Sequence, residues 1–155
     1  MKAVALALVM LAVPYAVGAA DPFVGTYRLN AEKSATSGGQ LPAELTLTIS
    51  EEGANLLVAT SGKTASGASI SADILVLPKA GGTVKAPEGE RNFDSTNVMR
   101  TNANTIDMVA MQKGKERTRV TLALSRDGKT LTRSFTTTNA QGRLVKGTSV
   151  LERAL

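Results

Sequence analysis

An all-β fold, an antiparallel up-and-down barrel, is what this sequence predicts, and three observations predict it. Apolar and polar residues alternate with a period of two in one short run after another. Gly, Pro, Asn and Asp punctuate those runs at close intervals. Nothing in the chain reads as a long amphipathic helix able to carry a crossover between parallel strands. Sequential hairpins without crossovers make a meander, and a meander of about 8–10 strands blunts its edges by curling into a barrel or folding into a sandwich.

The first segment stands apart from that pattern. MKAVALALVMLAVPYAVGAA follows the plan of a secretory signal peptide: Lys2, an apolar stretch over 3–13, then small residues over 17–20. Cleavage is expected before Ala20 or before Asp21. The rival is an uncleaved anchor, since residues 3–20 carry no charge and a span needs roughly 17–25 residues. Pro14, the small residues behind it and the strand-like run that follows favour removal. The expected organisation is a cleaved signal over 1–20 and one barrel domain over 21–155, monomeric and secreted or periplasmic, with no stable membrane insertion after cleavage.

Composition narrows the chemistry. The chain has no Cys and no His. A lipoprotein anchor, disulfides, thiol nucleophiles, thiolate zinc sites and iron–sulfur clusters are thereby excluded. The commonest general base and the commonest metal ligand are missing too. No metal and no cofactor are expected. The net charge of +5 is spread along the chain and favours anionic ligands only gently.

The elements follow in order. Phe23, Gly25, Tyr27 and Leu29 share one parity of an opening strand, with Val24, Thr26 and Arg28 on the other. Residues 31–34, behind Asn30 as a cap, are expected to form one helical turn, and 34–40 a flexible loop. Residues 44–49 alternate cleanly, with Leu45, Leu47 and Ile49 on one face. Further strands are expected over 56–60, 69–77, 83–86 and 92–101, the third of these short. Residues 105–112, 118–125, 130–138 and 144–152 complete the meander. Asp127-Gly128 marks a hairpin, because a type I′ turn favours Asp or Asn followed by Gly.

With these runs in place, the chain resembles small secreted bacterial proteins of lipocalin-like (calycin-type) fold, mostly uncharacterised. The residues that carry the likeness are Asp21-Pro-Phe-Val-Gly-Thr-Tyr-Arg-Leu-Asn30 and Ala31-Glu-Lys-Ser34, then Asn104-Thr-Ile106, 125–131, 139–143 and 150–153. In lipocalins and fatty-acid-binding proteins a Gly-x-Trp of the first strand plugs one barrel end, and a basic residue of the last strand packs over the ring. The resemblance therefore implies a lipocalin-like or fatty-acid-binding-like barrel closed by Gly25, Tyr27 and Arg153. The departure is Tyr for Trp, which trades area for a polar atom that needs a partner.

Catalysis finds little support. Gly62-Lys63-Thr64 and Gly128-Lys129-Thr130 end like phosphate-binding loops, but Leu57 and Ala123 stand where the first Gly is required. Both read as hairpin turns, and no Ser-x-x-Lys pattern occurs. Glu51-Glu52 sits at a turn, where adjacent carboxylates are solvated. The basic run 113–119 reads as a turn plus the solvent face of a strand and lacks the aromatics of a nucleic-acid surface. The protein is not expected to be an enzyme or to bind nucleic acid. Few aromatics also disfavour a sugar-binding platform.

Binding within the barrel is the stronger reading. Thr130, Thr132, Ser134 and Thr136 share one face, so Leu131, Arg133 and Phe135 point inward. An inward guanidinium needs a carboxylate, water or an anionic ligand, and Arg suits a bidentate carboxylate. The other reading of Arg133 is a place at the barrel mouth or a pair with an acid of the protein. Val120, Leu122 and Leu124 form a second inner row, and Ile106, Met108 and Ala110 a third. Met99 and Met108 are expected either to line a pocket or to fill the core. The candidate ligand-binding set is thus Arg133, Phe135, Leu131, Met108, Leu122 and Val120, for a small hydrophobic, fatty-acid-like ligand. The competing function is a filled structural or protein-binding barrel, such as an envelope-associated inhibitor.

Overall fold

Alternation along the strands decides the architecture. The computed structural model describes residues 18–139 and 141–155, Asp73 by its backbone alone; the bulk of the expected signal peptide, residues 1–17, lies outside the described residues. Ten strands follow one another without a helix among the described residues. They are β1 (Gly25–Thr36), β2 (Glu44–Glu52), β3 (Asn55–Lys63), β4 (Ser69–Pro78) and β5 (Gly82–Lys85), then β6 (Ser95–Asn102), β7 (Thr105–Gln112), β8 (Lys115–Leu124), β9 (Thr130–Thr138) and β10 (Leu144–Arg153).

All form one antiparallel sheet in the order β4-β3-β2-β1-β10-β9-β8-β7-β6-β5. Consecutive strands pair except β4 with β5, and β1 pairs with β10 to bring the two ends of the chain together. The sheet curls into an up-and-down barrel that hydrogen bonds do not close. β4 and β5 remain as edges facing each other across a slot lined by Ile74, Leu75, Val84 and Phe93.

Two local expectations are corrected. Residues 31–34 do not form a helical turn but a bulge within β1: Asn30 faces Val150 while Ala35 already faces Thr148. The Asn30 side chain does accept the Lys33 N–H at 3.2 Å, as a helix cap would. Ser34 redirects the chain, its hydroxyl donating to the Asn30 carbonyl at 2.7 Å and accepting from the Val150 N–H at 2.8 Å. Ladder pairing with β10 resumes beyond it, and that outweighs one helical bond.

The hairpin at Asp127-Gly128 forms, but not as the expected two-residue primed turn. The Gly128 N–H bonds the Ser125 carbonyl at 2.9 Å and the Ser125 N–H bonds that of Thr130 at 2.8 Å, giving a longer loop. Its geometry follows from Asp127, whose carboxylate accepts from the Ser125 hydroxyl and the Lys129 N–H. The turn with positive φ at both central residues lies instead at Lys113 (φ 50°) and Gly114 (φ 74°), which join β7 to β8.

Packing is densest at one end. Phe23, Tyr27, Leu131 and Leu151 are fully buried there, with Leu56 and Leu77 almost so. The core continues through Leu47, Ile49, Ile106, Leu122 and Leu124. Burying each such side chain stabilises the fold by roughly 1.5–3 kcal/mol. Further along the strands the filling thins, and space opens around Arg133.

Candidate ligand-binding cavity

Parity along β9 places Leu131, Arg133 and Phe135 on the inner face. They lie at different depths. Leu131, opposite Leu151 of β10 and Leu124 of β8, is fully buried in the packed end and lines neither of the two chambers around Arg133. Its assignment to the ligand-binding set is corrected to a core role, since inward orientation does not set depth. Arg133 and Phe135, one and two pleats further on, reach open space.

That space consists of two chambers that share Leu47, Thr60 and Arg133. The outer one, about 270 Å³, lies under residues 36–42, with Thr36, Gln40, Leu41, Leu45, Phe135 and Ser149 in its wall. The inner one, about 200 Å³, is bounded by Val58, Leu75, Phe93, Thr96, Met108, Ala110, Thr118, Val120 and Leu122. The expected lining residues Met108, Leu122 and Val120 all meet here. Met99 does not: it is 61% exposed on the outer face of β6, because Val98 takes the inner position.

Arg133 is the charged group at the waist. Burial in these surroundings draws its pKa downward, with no neighbouring charge acting to restore it. Among the described residues, none of the ion pairs and none of the side-chain hydrogen bonds involves it. Its one close partner is the ring of Phe135, 5.2 Å from the guanidinium carbon. No fully buried side-chain polar atom is left unsatisfied among the described residues, so the Arg133 nitrogens open onto the chambers rather than into packed core.

Phe135 can lie beside Arg133 because of Gly147. That residue stands opposite Phe135 in β10, and a Cβ there would collide with the ring. Sequence reasoning passed over Gly147; its signal was a glycine inside an otherwise regular strand.

Three of the described aromatic rings carry an arginine over one face, at 4.8–5.4 Å. Two of these pairs build the closed end. Arg153 packs over Tyr27 at 4.8 Å and donates to the Tyr27 hydroxyl at 2.6 Å. Its other bonds run to the carbonyls of Val24 (2.6 Å), Pro22 (2.9 Å) and Gly128 (2.6 Å), so it ties three segments together. The Tyr27 hydroxyl in turn donates to the Phe23 carbonyl at 3.0 Å, which satisfies the polar atom that Tyr brings in place of Trp. A Cβ on Gly25 would strike the Arg153 guanidinium. Burial pushes the Tyr27 pKa up, against the charge and hydrogen bond of Arg153.

The second closing pair was not anticipated. Arg100, on β6, forks onto both carboxylate oxygens of Asp21 and lies 5.4 Å over the Phe23 ring. Asp21, half-buried, therefore anchors the N-terminal segment. The inward parity of Arg100 was legible, because it falls two residues after the inward Val98 just as Arg133 falls two after Leu131; its partner Asp21 was not. The basic run at 113–119 lies on the surface, where Arg119 pairs with Glu116.

No protein-family model matches the sequence, and no curated protein does. Among solved structures, the fold is similar to that of zebrafish ileal bile acid-binding protein, determined with cholic acid bound. The two chains are 12% identical, the match covers 86% of this chain and 99% of that one, and the TM-score is 0.52. At this identity the likeness shows the fold alone: an up-and-down antiparallel barrel of the kind the bile acid-binding protein has.

Proposed function

We propose that this protein binds a small amphiphile with a negative charge inside the barrel, the anion on Arg133 and the apolar part in the inner chamber. The observation that carries the reading is Arg133 itself. A guanidinium at the waist of two cavities, with no acidic partner among the described residues, is costly unless something else supplies the anion. Its fork offers paired donors to a carboxylate or phosphate. The inner chamber is largely apolar, as ligand sites generally are, with one charged group to fix orientation. The bile acid-binding neighbour supports the reading through its fold.

Export, with binding or sequestration as the task in the periplasm or medium, belongs to the same proposal and rests on residues 1–20. Intact mass of the exported chain tests it: a product that retains Met1 contradicts it.

Displacement of a fluorescent fatty acid tests the binding. The proposal expects saturable, one-to-one uptake by the native chain and at least tenfold weaker uptake by Arg133→Met. No uptake by either chain would favour the competing reading, a barrel that is filled inside and binds protein on its outer surface.

A further inference from the structure

We infer that the ligand carries its negative charge in the interior of the molecule, between a single apolar chain and a polar head, as in a single-chain phosphodiester lipid. The inference rests on the binding function proposed above and sharpens it.

Arg133 does not stand at the end of a blind pocket. It lines two chambers, and their walls differ in chemistry. Val58, Met108, Val120 and Leu122 make one side mostly hydrocarbon, interrupted by Thr60, Thr96 and Thr118. On the other side Thr36, Gln40 and Ser149 offer hydrogen-bonding groups beside Leu41 and Phe135. A simple fatty acid with its carboxylate on Arg133 fills the inner chamber and leaves the outer one, the larger of the two, to water. A molecule with its anion in the middle fills both, and matches each half to its wall.

The chemistry of the waist favours phosphodiester over carboxylate. Only one cation, Arg133, stands among the lining residues of the two chambers. A carboxylate held on a guanidinium keeps its charge, as Asp21 does on Arg100, but it ends its molecule and so leaves the second chamber unused. A phosphodiester also keeps its charge, joins a substituent on each side, and presents two free oxygens that match the guanidinium fork. Size points the same way for the chain. An apolar cavity of about 150 Å³ holds one benzene. The inner chamber, about 200 Å³, therefore suits one chain of moderate length and not a fused-ring steroid.

The test compares three ligands with the same ten-carbon acyl chain, all below their micellar concentrations: decanoyl lysophosphatidylglycerol, decanoate and monodecanoylglycerol. Calorimetric titration of the full exported chain is expected to show the phosphodiester binding at least tenfold tighter than decanoate. In Arg133→Met its affinity should fall to that of the neutral glyceride. Gln40→Leu and Ser149→Ala should weaken the phosphodiester several-fold and leave decanoate unchanged. Decanoate binding as tightly as the phosphodiester, or equal effects of Gln40→Leu and Ser149→Ala on both, would overturn the inference while the binding function stands. Failure of all three ligands to bind would overturn the binding function itself.

Discussion

The Arg133 guanidinium lies 5.2 Å from the centre of the Phe135 ring, two residues along the same strand, with both side chains inside the barrel. The ring covers one face of the cation and leaves its N–H edge toward the chambers. Arg100 and Arg153 are held over rings in the same manner, but each also has oxygen partners from the chain. Arg133 is the inward arginine for which none is found among the described residues, and the predictions begin there.

Replacing Arg133 with Met removes a desolvated charge and keeps most of the volume. Substituting hydrophobic groups for buried charges is often neutral or stabilising by about 1–4 kcal/mol. Urea denaturation of ligand-free Arg133→Met should therefore give stability equal to or above the native value. A loss of more than about 1 kcal/mol would mean that the guanidinium is satisfied within the fold.

At the closed end, Tyr27→Phe deletes the hydroxyl that bridges Arg153 and the Phe23 carbonyl. The expected cost is about 1–3 kcal/mol, because a buried acceptor and a cation each lose a partner. The Tyr27 pKa is raised by burial, so the fold favours the neutral phenol. The stability this provides is complete below the ordinary tyrosine range, near pH ~10, and is lost as pH rises through the higher folded value. Denaturation midpoints measured from pH 8 to 11 should fall less steeply in Tyr27→Phe than in the native chain.

Asp21 behaves in the opposite sense. Burial raises its pKa, but the hydrogen bonds from Arg100 and from the Phe23 N–H outweigh burial and hold it below the usual carboxylate value. Its contribution is therefore present above about pH 3.9 and is lost as pH falls through the lower folded value. Asp21→Asn should cost about 1.5–3 kcal/mol at neutral pH, the range for hydrogen bonds to charged groups. It should also flatten the acid limb of the stability profile below pH 4, as read by circular dichroism.

Gly147 is predicted to control the outer chamber. Gly147→Val places a side chain where the Phe135 ring now lies and forces the ring toward Arg133. The overpacking should cost about 1–3 kcal/mol and weaken ligand uptake more than Arg28→Ala, an outer-face control. Equal uptake by the two variants would show that the outer chamber takes no part in binding.

The strands and the parity of the inner rows were legible because a period of two is a local property. Leu47, Leu122 and Met108 could be placed from their neighbours alone. The pairing of Asp21 with Arg100 was not, since it joins residues far apart in the chain. Depth was equally hidden: Leu131 and Arg133 share a face, yet one is sealed by Leu151 and the other opens onto a cavity. The bulge at 31–34 escaped because Asn30 and Ser34 carry the local chemistry of a helix start, which the β1–β10 ladder overrides.

Native mass spectrometry of the protein purified from its own host without detergent tests the central claim most directly. The account predicts one bound hydrophobic anion per chain, retained by the native protein and absent from Arg133→Met. A bare chain mass for the native protein, with no fluorescent fatty acid taken up by either form, would contradict it.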